Sequence, residues 1–236
     1  MPNRVSYELR ESIATLTLDD GKMNALSREM LTEIVGALDR ARADRAVVII
    51  TGRPGVFSAG FDLNTLRGGG AGAVEMFKMG FELSEKILSF PAPVVVACSG
   101  HALAMGAFLL LSGDYRIGAA GAYKIGANEV AIGLTMPHFG CEICRQRLSP
   151  AHYHRAVINA EIFRPEDAVA AGFLDRTVAA AELESAARGV AADLAKLDVD
   201  THTATKLRAR APALKAIRAA IETDDAVFRS RAPQAS

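Results

Sequence analysis

The chain has 236 residues, of which 50% are hydrophobic and 23% are charged, enough to bury one large core or a core with a small appendage. Its 27 basic and 27 acidic side chains cancel, which argues against nucleic acid or an anionic membrane as a partner. Three cysteines, an odd number, and the absence of an apolar signal stretch in the first residues favour a reducing, cytoplasmic location.

The first third of the chain predicts strands alternating with helices. Residues 5–9 and 13–18 alternate in polarity like the two arms of a β-hairpin. Ser27 predicts the N-cap of a helix that continues to about residue 42, because apolar side chains recur there at helical spacing. The next predicted elements are a buried strand, a mobile glycine-rich loop and a helix, at residues 47–51, 68–72 and 74–89.

A stretch of 24 residues without a charged side chain, 90–113, has the length of a membrane span. Pro91, Pro93 and the break at residues 99–101 instead divide it into a buried strand at 94–98, a turn, and a buried helix at 105–111. We therefore expect no membrane segment here.

The remaining chain predicts strands at residues 115–119 and 122–125, then helices. Proline is tolerated in a first helical turn, so Pro150 and Pro165 indicate helix starts, and another helix is expected near Ala180. Strands that alternate with helices predict an α/β architecture. Because the sequence becomes helical and alanine-rich near its end, with one or two helices over residues 200–222, we divide it into a core, 1–180, and a C-terminal helical region, 181–236.

Two segments of small residues each follow an apolar, strand-like run: VFSAGFDL at 56–63 and SGHALAMG at 99–106. Such turns admit a ligand close to the backbone, and two of them can direct two peptide N–H groups at one oxygen. Together with NEVAIGL at 128–134, they resemble, in the same order, the crotonase (enoyl-CoA hydratase/isomerase) superfamily. The resemblance covers about residues 5–178. It implies a spiral of ββα units, and a helical C-terminal region that covers the site and packs a homotrimer or a dimer of trimers.

The resemblance also implies an acyl-CoA thioester as substrate, with coenzyme A a part of that substrate and no separate cofactor. Phe61 and Met105 would donate backbone N–H groups to the enolate oxygen, an interaction worth roughly 3 to 4 kcal/mol per donor. Glu129 would be the catalytic acid/base, with a pKa raised by the apolar run after it. Periodicity alone predicts Glu129 to be an exposed charge. The positions assigned to substrate binding are Lys22, Ser58, Ala59, Gly60, Asp62, Leu63, Phe108 and Asn128.

The sequence departs from the family pattern at three places. Ala104-Met105-Gly106 stands where three glycines are common, and Ser99 stands where asparagine is common; both changes tighten the pocket without removing a backbone donor. Phe108 occupies the position of the second glutamate of hydratases, which helps to position and activate water. One carboxylate can still move a proton between two carbons, so the sequence is most similar to single-glutamate Δ3,Δ2-enoyl-CoA isomerases acting in fatty-acid metabolism.

Other functions stay open at this point. The chain could be an enoyl-CoA hydratase that recruits another group, a thioester hydrolase that uses His101 or His138, or a non-catalytic acyl-CoA-binding regulator. Several cysteine and histidine side chains are of the types that bind zinc, but Cys141 and Cys144 fall within one predicted helix without a second such pair, so we expect no metal site. The glycine-rich loop lacks the lysine of a phosphate-binding loop, and we expect it to lie beside the acyl pocket.

Overall fold

The computed structural model describes residues 3–231, which form two sheets and a set of surrounding helices. The larger sheet contains, in spatial order, β1 (Val5–Arg10), β2 (Ile13–Leu18), β3 (Val47–Gly52), β5 (Val94–Cys98), β7 (Tyr115–Ala119) and β9 (Arg176–Val178). The smaller, parallel sheet contains β4 (Gly55–Ser58), β6 (Gly100–Leu103) and β8 (Ile125–Gly126). The helices are α1 (Arg28–Ala43), α2 (Leu63–Gly68), α3 (Gly70–Leu88), α4 (Met105–Leu111), α5 (His138–Arg147), α6 (Pro150–Val157), α7 (Pro165–Ala171), α8 (Leu183–Leu194) and α9 (Val199–Arg231).

The chain winds through the two sheets as a spiral. Three times in succession, a strand of the larger sheet is followed by a strand of the smaller one and then by helical structure: β3 and β4, β5 and β6, β7 and β8. Neighbouring turns of the spiral pair in parallel, as in β3 with β5 and β4 with β6. The predicted α/β spiral of ββα units is confirmed.

The N-terminal elements lie where the sequence predicts them. β1 and β2 form an antiparallel hairpin whose turn, Glu11 and Ser12, has two positive φ angles, as a tight hairpin turn requires. The side chain of Ser27 accepts a hydrogen bond from Met30 N at 3.3 Å and so caps α1.

The glycine-rich segment differs from its prediction. Residues 68–72 form no open loop, because α2 ends at Gly68 and α3 begins at Gly70. Asp62 caps α2 through Thr65 N at 2.7 Å, which starts a helix that the sequence reading lacked. The break is confined to Gly69, whose φ of 62° suits glycine.

Several short strands also differ from the sequence-based expectations. The turn expected at residues 99–101 contains the start of β6, the strand expected at 122–125 is the two-residue β8, and β9 had no sequence signal. Within the described part of the chain, no helix combines the length and apolar character needed to cross a membrane.

The C-terminal region packs on the rest of the molecule. α8 places Leu183, Ala187 and Ala191 against buried residues of the larger sheet. α9 is one continuous helix despite Pro212, and it packs on α3 and α5 with Ile217 and Ile221 buried. These contacts bring the C-terminal half of α9 to the wall of a large cavity, which Asp224, Val227 and Phe228 help to line.

Candidate active site

A cavity of about 1110 Å³ opens where the two segments of small residues meet the segment that carries Glu129. Most of the positions assigned from the sequence line it: Lys22, Ala59, Gly60, Phe61, Asp62, Leu63, Phe108, Asn128 and Glu129. Ser58 and Met105 are buried behind its surface, and Ala104 lines it beside Met105. The structure thus gathers these residues around one space.

The direction of the Phe61 N–H group follows from its neighbours. Leu26 N donates to Gly60 O at 2.9 Å, and Asp62 N donates to Leu26 O at 3.4 Å. In this parallel bridge the residues before and after Phe61, and not Phe61 itself, bond to the backbone N–H and C=O of Leu26. The N–H of Phe61 itself therefore points away from Leu26.

The turn before Phe61 is braced from behind. Gly60 has a φ of 94°, which favours glycine, and its N–H donates to Ser58 Oγ at 3.2 Å. The Ser58 hydroxyl in turn donates to Asn24 O at 2.8 Å. Ser58 thus holds the turn that presents Phe61, and its contacts are with protein backbone.

The Met105 N–H is directed by the peptide before it. Ala104 O accepts hydrogen bonds from Ala107 N at 2.8 Å and Phe108 N at 3.1 Å, so this carbonyl points into α4. In a trans peptide the N–H points opposite to the carbonyl, and the described residues contain no cis peptide. Met105 N–H therefore points out of the N-terminus of α4, where helix N–H groups lack partners within the helix.

The two turns approach each other closely. A methyl group built on Gly60 would come within 3.0 Å of the Ala104 methyl and 3.3 Å of Met105 N. A methyl group on Gly106 would come within 2.3 Å of Ser58 O, so this contact also requires glycine. The turns that carry Phe61 and Met105 are therefore neighbours, and N–H groups at a helix N-terminus such as that of α4 can stabilise a negatively charged oxygen.

Glu129 is a buried carboxylate at the cavity wall, with 6% of its surface exposed. Its Oε2 has no hydrogen-bond partner among the described residues. Burial raises the pKa of Glu129 to about 7, as expected for a carboxyl removed from water. The exposed position predicted from periodicity is wrong. The pKa shift has the expected direction, but the apolar run after Glu129 is itself exposed, so other elements bury the carboxylate. A carboxyl with this pKa can take and return protons near neutral pH.

Four further carboxylates line the cavity, and each has an interaction within the protein. Asp20 accepts from three backbone N–H groups of its own turn, and Asp62 caps α2. Glu29 pairs with a nearby arginine, and Asp224 accepts two backbone N–H groups at the start of α5. Among the described residues that line the cavity, Glu129 is the carboxylate with a buried oxygen left free.

The wall near Glu129 is largely apolar. Phe108 is fully buried and packs edge-on against Phe139, with ring centroids 5.8 Å apart. Asn128 contributes a buried Oδ1 without a partner in the described structure. The position expected for a second glutamate thus carries an aromatic ring that neither donates nor accepts a proton.

The two histidines singled out from the sequence lie in different places. His101 Nδ1 accepts from Lys124 N at 3.0 Å, and its ring packs edge-on against Tyr123 rather than lining the cavity. His138 lines the cavity, and its backbone N–H donates to Asp224. Over residues 3–231, no three His, Cys, Asp or Glu side chains are grouped so that they could hold a metal ion.

The resemblance implies that the C-terminal region covers the site, but sequence reasoning named none of the α9 residues that line the cavity. Asp224, Val227 and Phe228 line it, and Phe228 stacks on Phe77 of α3 with ring centroids 4.7 Å apart. A signal was present, because Asp224 lies at helical spacing from Ile217 and Ile221 and so shares their apolar face. An acidic residue on such a face indicates a specific buried partner.

Known proteins share both the sequence and this architecture. A family model described as enoyl-CoA hydratase/isomerase matches residues 8–236. Mitochondrial enoyl-CoA delta isomerase 1 of Rattus norvegicus is 32% identical over 193 residues, which cover 80% of this chain and 67% of that protein.

Solved structures are closer still. An enoyl-CoA hydratase/isomerase family protein from Pseudomonas syringae is 49% identical with a TM-score of 0.94, covering 95% of this chain and 98% of its own. An enoyl-CoA hydratase from Mycobacterium marinum is 46% identical with a TM-score of 0.92, covering 95% and 99%. The chain therefore belongs to the enoyl-CoA hydratase/isomerase family, within the crotonase superfamily.

Proposed function

We propose that this protein is a Δ3,Δ2-enoyl-CoA isomerase in which Glu129 is the single acid/base. One observation carries the proposal: among the described residues that line the cavity, Glu129 is the carboxylate with an unpartnered oxygen, and Phe108 stands where the resemblance places the second glutamate of hydratases. The relatives are named for both isomerases and hydratases, so their names do not choose between the two reactions.

The substrate would enter with its thioester at the two adjacent turns. The thioester oxygen would accept hydrogen bonds from the N–H groups of Phe61 and Met105, which form the oxyanion hole of this proposal. Coenzyme A would lie along the backbone of residues 59–63, with Lys22 at the cavity wall available to a phosphate.

The reaction needs one proton to leave one carbon and return to another. Glu129 would remove a proton from C2 of a 3-enoyl-CoA, and the electron pair of that C–H bond would pass through the thioester to its oxygen. The two N–H donors would stabilise the resulting dienolate. Glu129 would then deliver its proton to C4, so that the double bond moves from C3–C4 to C2–C3. Atoms and charge balance without another reactant.

Hydration has a further requirement that this site does not favour. A water molecule must be held and deprotonated as it attacks C3, which calls for a second proton-accepting side chain beside the acyl chain. Phe108 supplies no such group, since its ring is fully buried against Phe139, and the other cavity carboxylates already hold N–H groups or a cation.

Isotope transfer tests this proposal. A 3-enoyl-CoA carrying deuterium at C2 should yield a 2-enoyl-CoA with part of the label at C4, because one shielded carboxyl carries it between the two carbons. Mass spectrometry of the product locates the label, and Glu129→Gln should abolish turnover while acyl-CoA binding stays within about tenfold. Turnover by Glu129→Gln would contradict the proposal, and firm binding without turnover by the natural protein would favour a non-catalytic regulator.

A further inference from the structure

We infer that Ala104 is a positioning residue that acts through both N–H donors: its backbone directs Met105 N–H, and its methyl group sets the gap to the turn that carries Phe61. This inference rests on the oxyanion hole of the proposed function. It assigns a role to a side chain at a place where the family commonly has glycine.

The backbone of Ala104 is held in a conformation that costs energy. Its φ of 50° and ψ of −126° lie in a region that glycine enters freely and residues with a Cβ rarely adopt. Glycine would fit this conformation without strain. The methyl group is therefore present despite a cost, and such strain commonly occurs at functional sites.

Hydrogen bonds on both sides keep the strained residue in place. Ala104 N donates to Gly126 O of β8 at 3.1 Å, and Ala104 O accepts from the first turn of α4. The peptide that ends in Met105 N–H thus has its carbonyl fixed by the helix and its preceding residue fixed by the smaller sheet. Because the Ala104 carbonyl is held by α4, the planar trans peptide directs Met105 N–H out of the helix N-terminus.

The methyl group lies between the two turns. A methyl group on Gly60 would collide with it at 3.0 Å, so the Ala104 methyl already faces Gly60, the residue immediately before Phe61. Ala104 also lines the cavity, which places this contact at the site rather than in the core. The methyl group therefore acts as a spacer between the Gly60–Phe61 turn and the start of α4.

A spacer matters because two donors must meet one oxygen at the same time. Hydrogen bonds weaken steeply as distance and angle depart from their optimum, and the loss of one donor costs 10² to 10³ in kcat in other enzymes. Removing the methyl group takes away the spacer between the two turns and gives residue 104 the wider conformational freedom of glycine. We expect partial misalignment, with a loss of about tenfold in kcat, below the loss of a whole donor.

Ala104→Gly tests this role, and Ala160→Gly is its matched control. Ala160 also has a positive φ, 51°, but lies outside the cavity lining. The readout is the near-ultraviolet absorbance of acetoacetyl-CoA bound to each protein, because its enolate absorbs and the neutral form does not. This signal reports stabilisation of a thioester enolate without any isomerase turnover.

We expect Ala104→Gly to lower the enolate fraction at least about fivefold and kcat about tenfold, with KM within about twofold, because the spacing matters most once charge has developed. Ala160→Gly should match the natural protein in all three, and neither variant should lower Tm. Unchanged enolate absorbance in Ala104→Gly, or no enolate on the natural protein, would overturn the inference. If Ala104→Gly lowers the enolate signal but the natural protein does not isomerise 3-enoyl-CoA, the spacer role of Ala104 stands and the proposed function is wrong.

Discussion

Glu129 should destabilise the folded protein at neutral and alkaline pH. Its pKa rises from the usual 4.5 to about 7 because burial disfavours the charged carboxylate. The penalty is absent below about pH 4.5, where both folded and unfolded chains carry a neutral carboxyl, and it is complete above about pH 7. At 1.36 kcal/mol for each pKa unit, this penalty lowers the unfolding free energy by about 3 kcal/mol at pH 8 and by about 1 kcal/mol at pH 5.

Glu129→Gln removes this charge while keeping the shape of the side chain. We expect the variant to gain about 2 kcal/mol more in unfolding free energy at pH 8 than at pH 5, relative to the natural protein at the same pH. Urea unfolding at both pH values, followed by circular dichroism, measures the two differences. Comparison at each pH cancels the titration of other groups. An equal gain at both pH values, or a loss that grows with pH, would refute the assigned burial of the carboxylate.

Three further pairs of substitutions, each a test with its control, probe the surroundings of Glu129. Met105→Pro removes the N–H donor and should lower kcat by about 10² to 10³. Met105→Leu keeps the donor and the buried volume and should lower kcat less than tenfold. Equal losses in the two variants would indicate that Met105 acts through side-chain packing. Phe108→Glu should raise crotonyl-CoA hydration at least about tenfold in a spectrophotometric assay, and Phe108→Leu should not. An unchanged hydration rate in Phe108→Glu would contradict the inference that the phenylalanine at this position disfavours hydration. Asp224→Ala leaves two N–H groups of α5 without an acceptor and should lower the unfolding free energy by about 1 to 3 kcal/mol in urea, with Asp225→Ala as the milder neighbouring control.

The elements that local sequence predicts well are those with strong local causes. The hairpin of β1 and β2, the Ser27 cap and the buried strand β5 each follow from side-chain alternation, a capping hydroxyl or a continuous apolar run. β8 and β9 are two and three residues long, too short to show a period. Their pairing depends on strands distant in the chain, as when Arg176 lies beside Ile117.

The site shows the same division between local and distant causes. The turns at residues 56–63 and 99–106 could be located from their small residues and order. The burial of Glu129 could not, because its apolar neighbours Val130 and Ile132 are 45% and 51% exposed while the carboxylate itself is buried. The burial of Glu129 depends on elements distant in the sequence that enclose the cavity. One of them is α9, whose Asp224 and Phe228 line the same cavity. Trimeric assembly and a cytoplasmic location stay predictions.

A direct comparison of two specificity constants tests the central claim that one carboxylate moves a proton between carbons. The natural protein is given 3-enoyl-CoA and crotonyl-CoA in parallel, and the products are followed by mass spectrometry. We predict a kcat/KM for isomerisation at least about tenfold above that for hydration, which corresponds to about 1.4 kcal/mol in transition-state stabilisation. Fast hydration without isomerisation would contradict the single-carboxylate account.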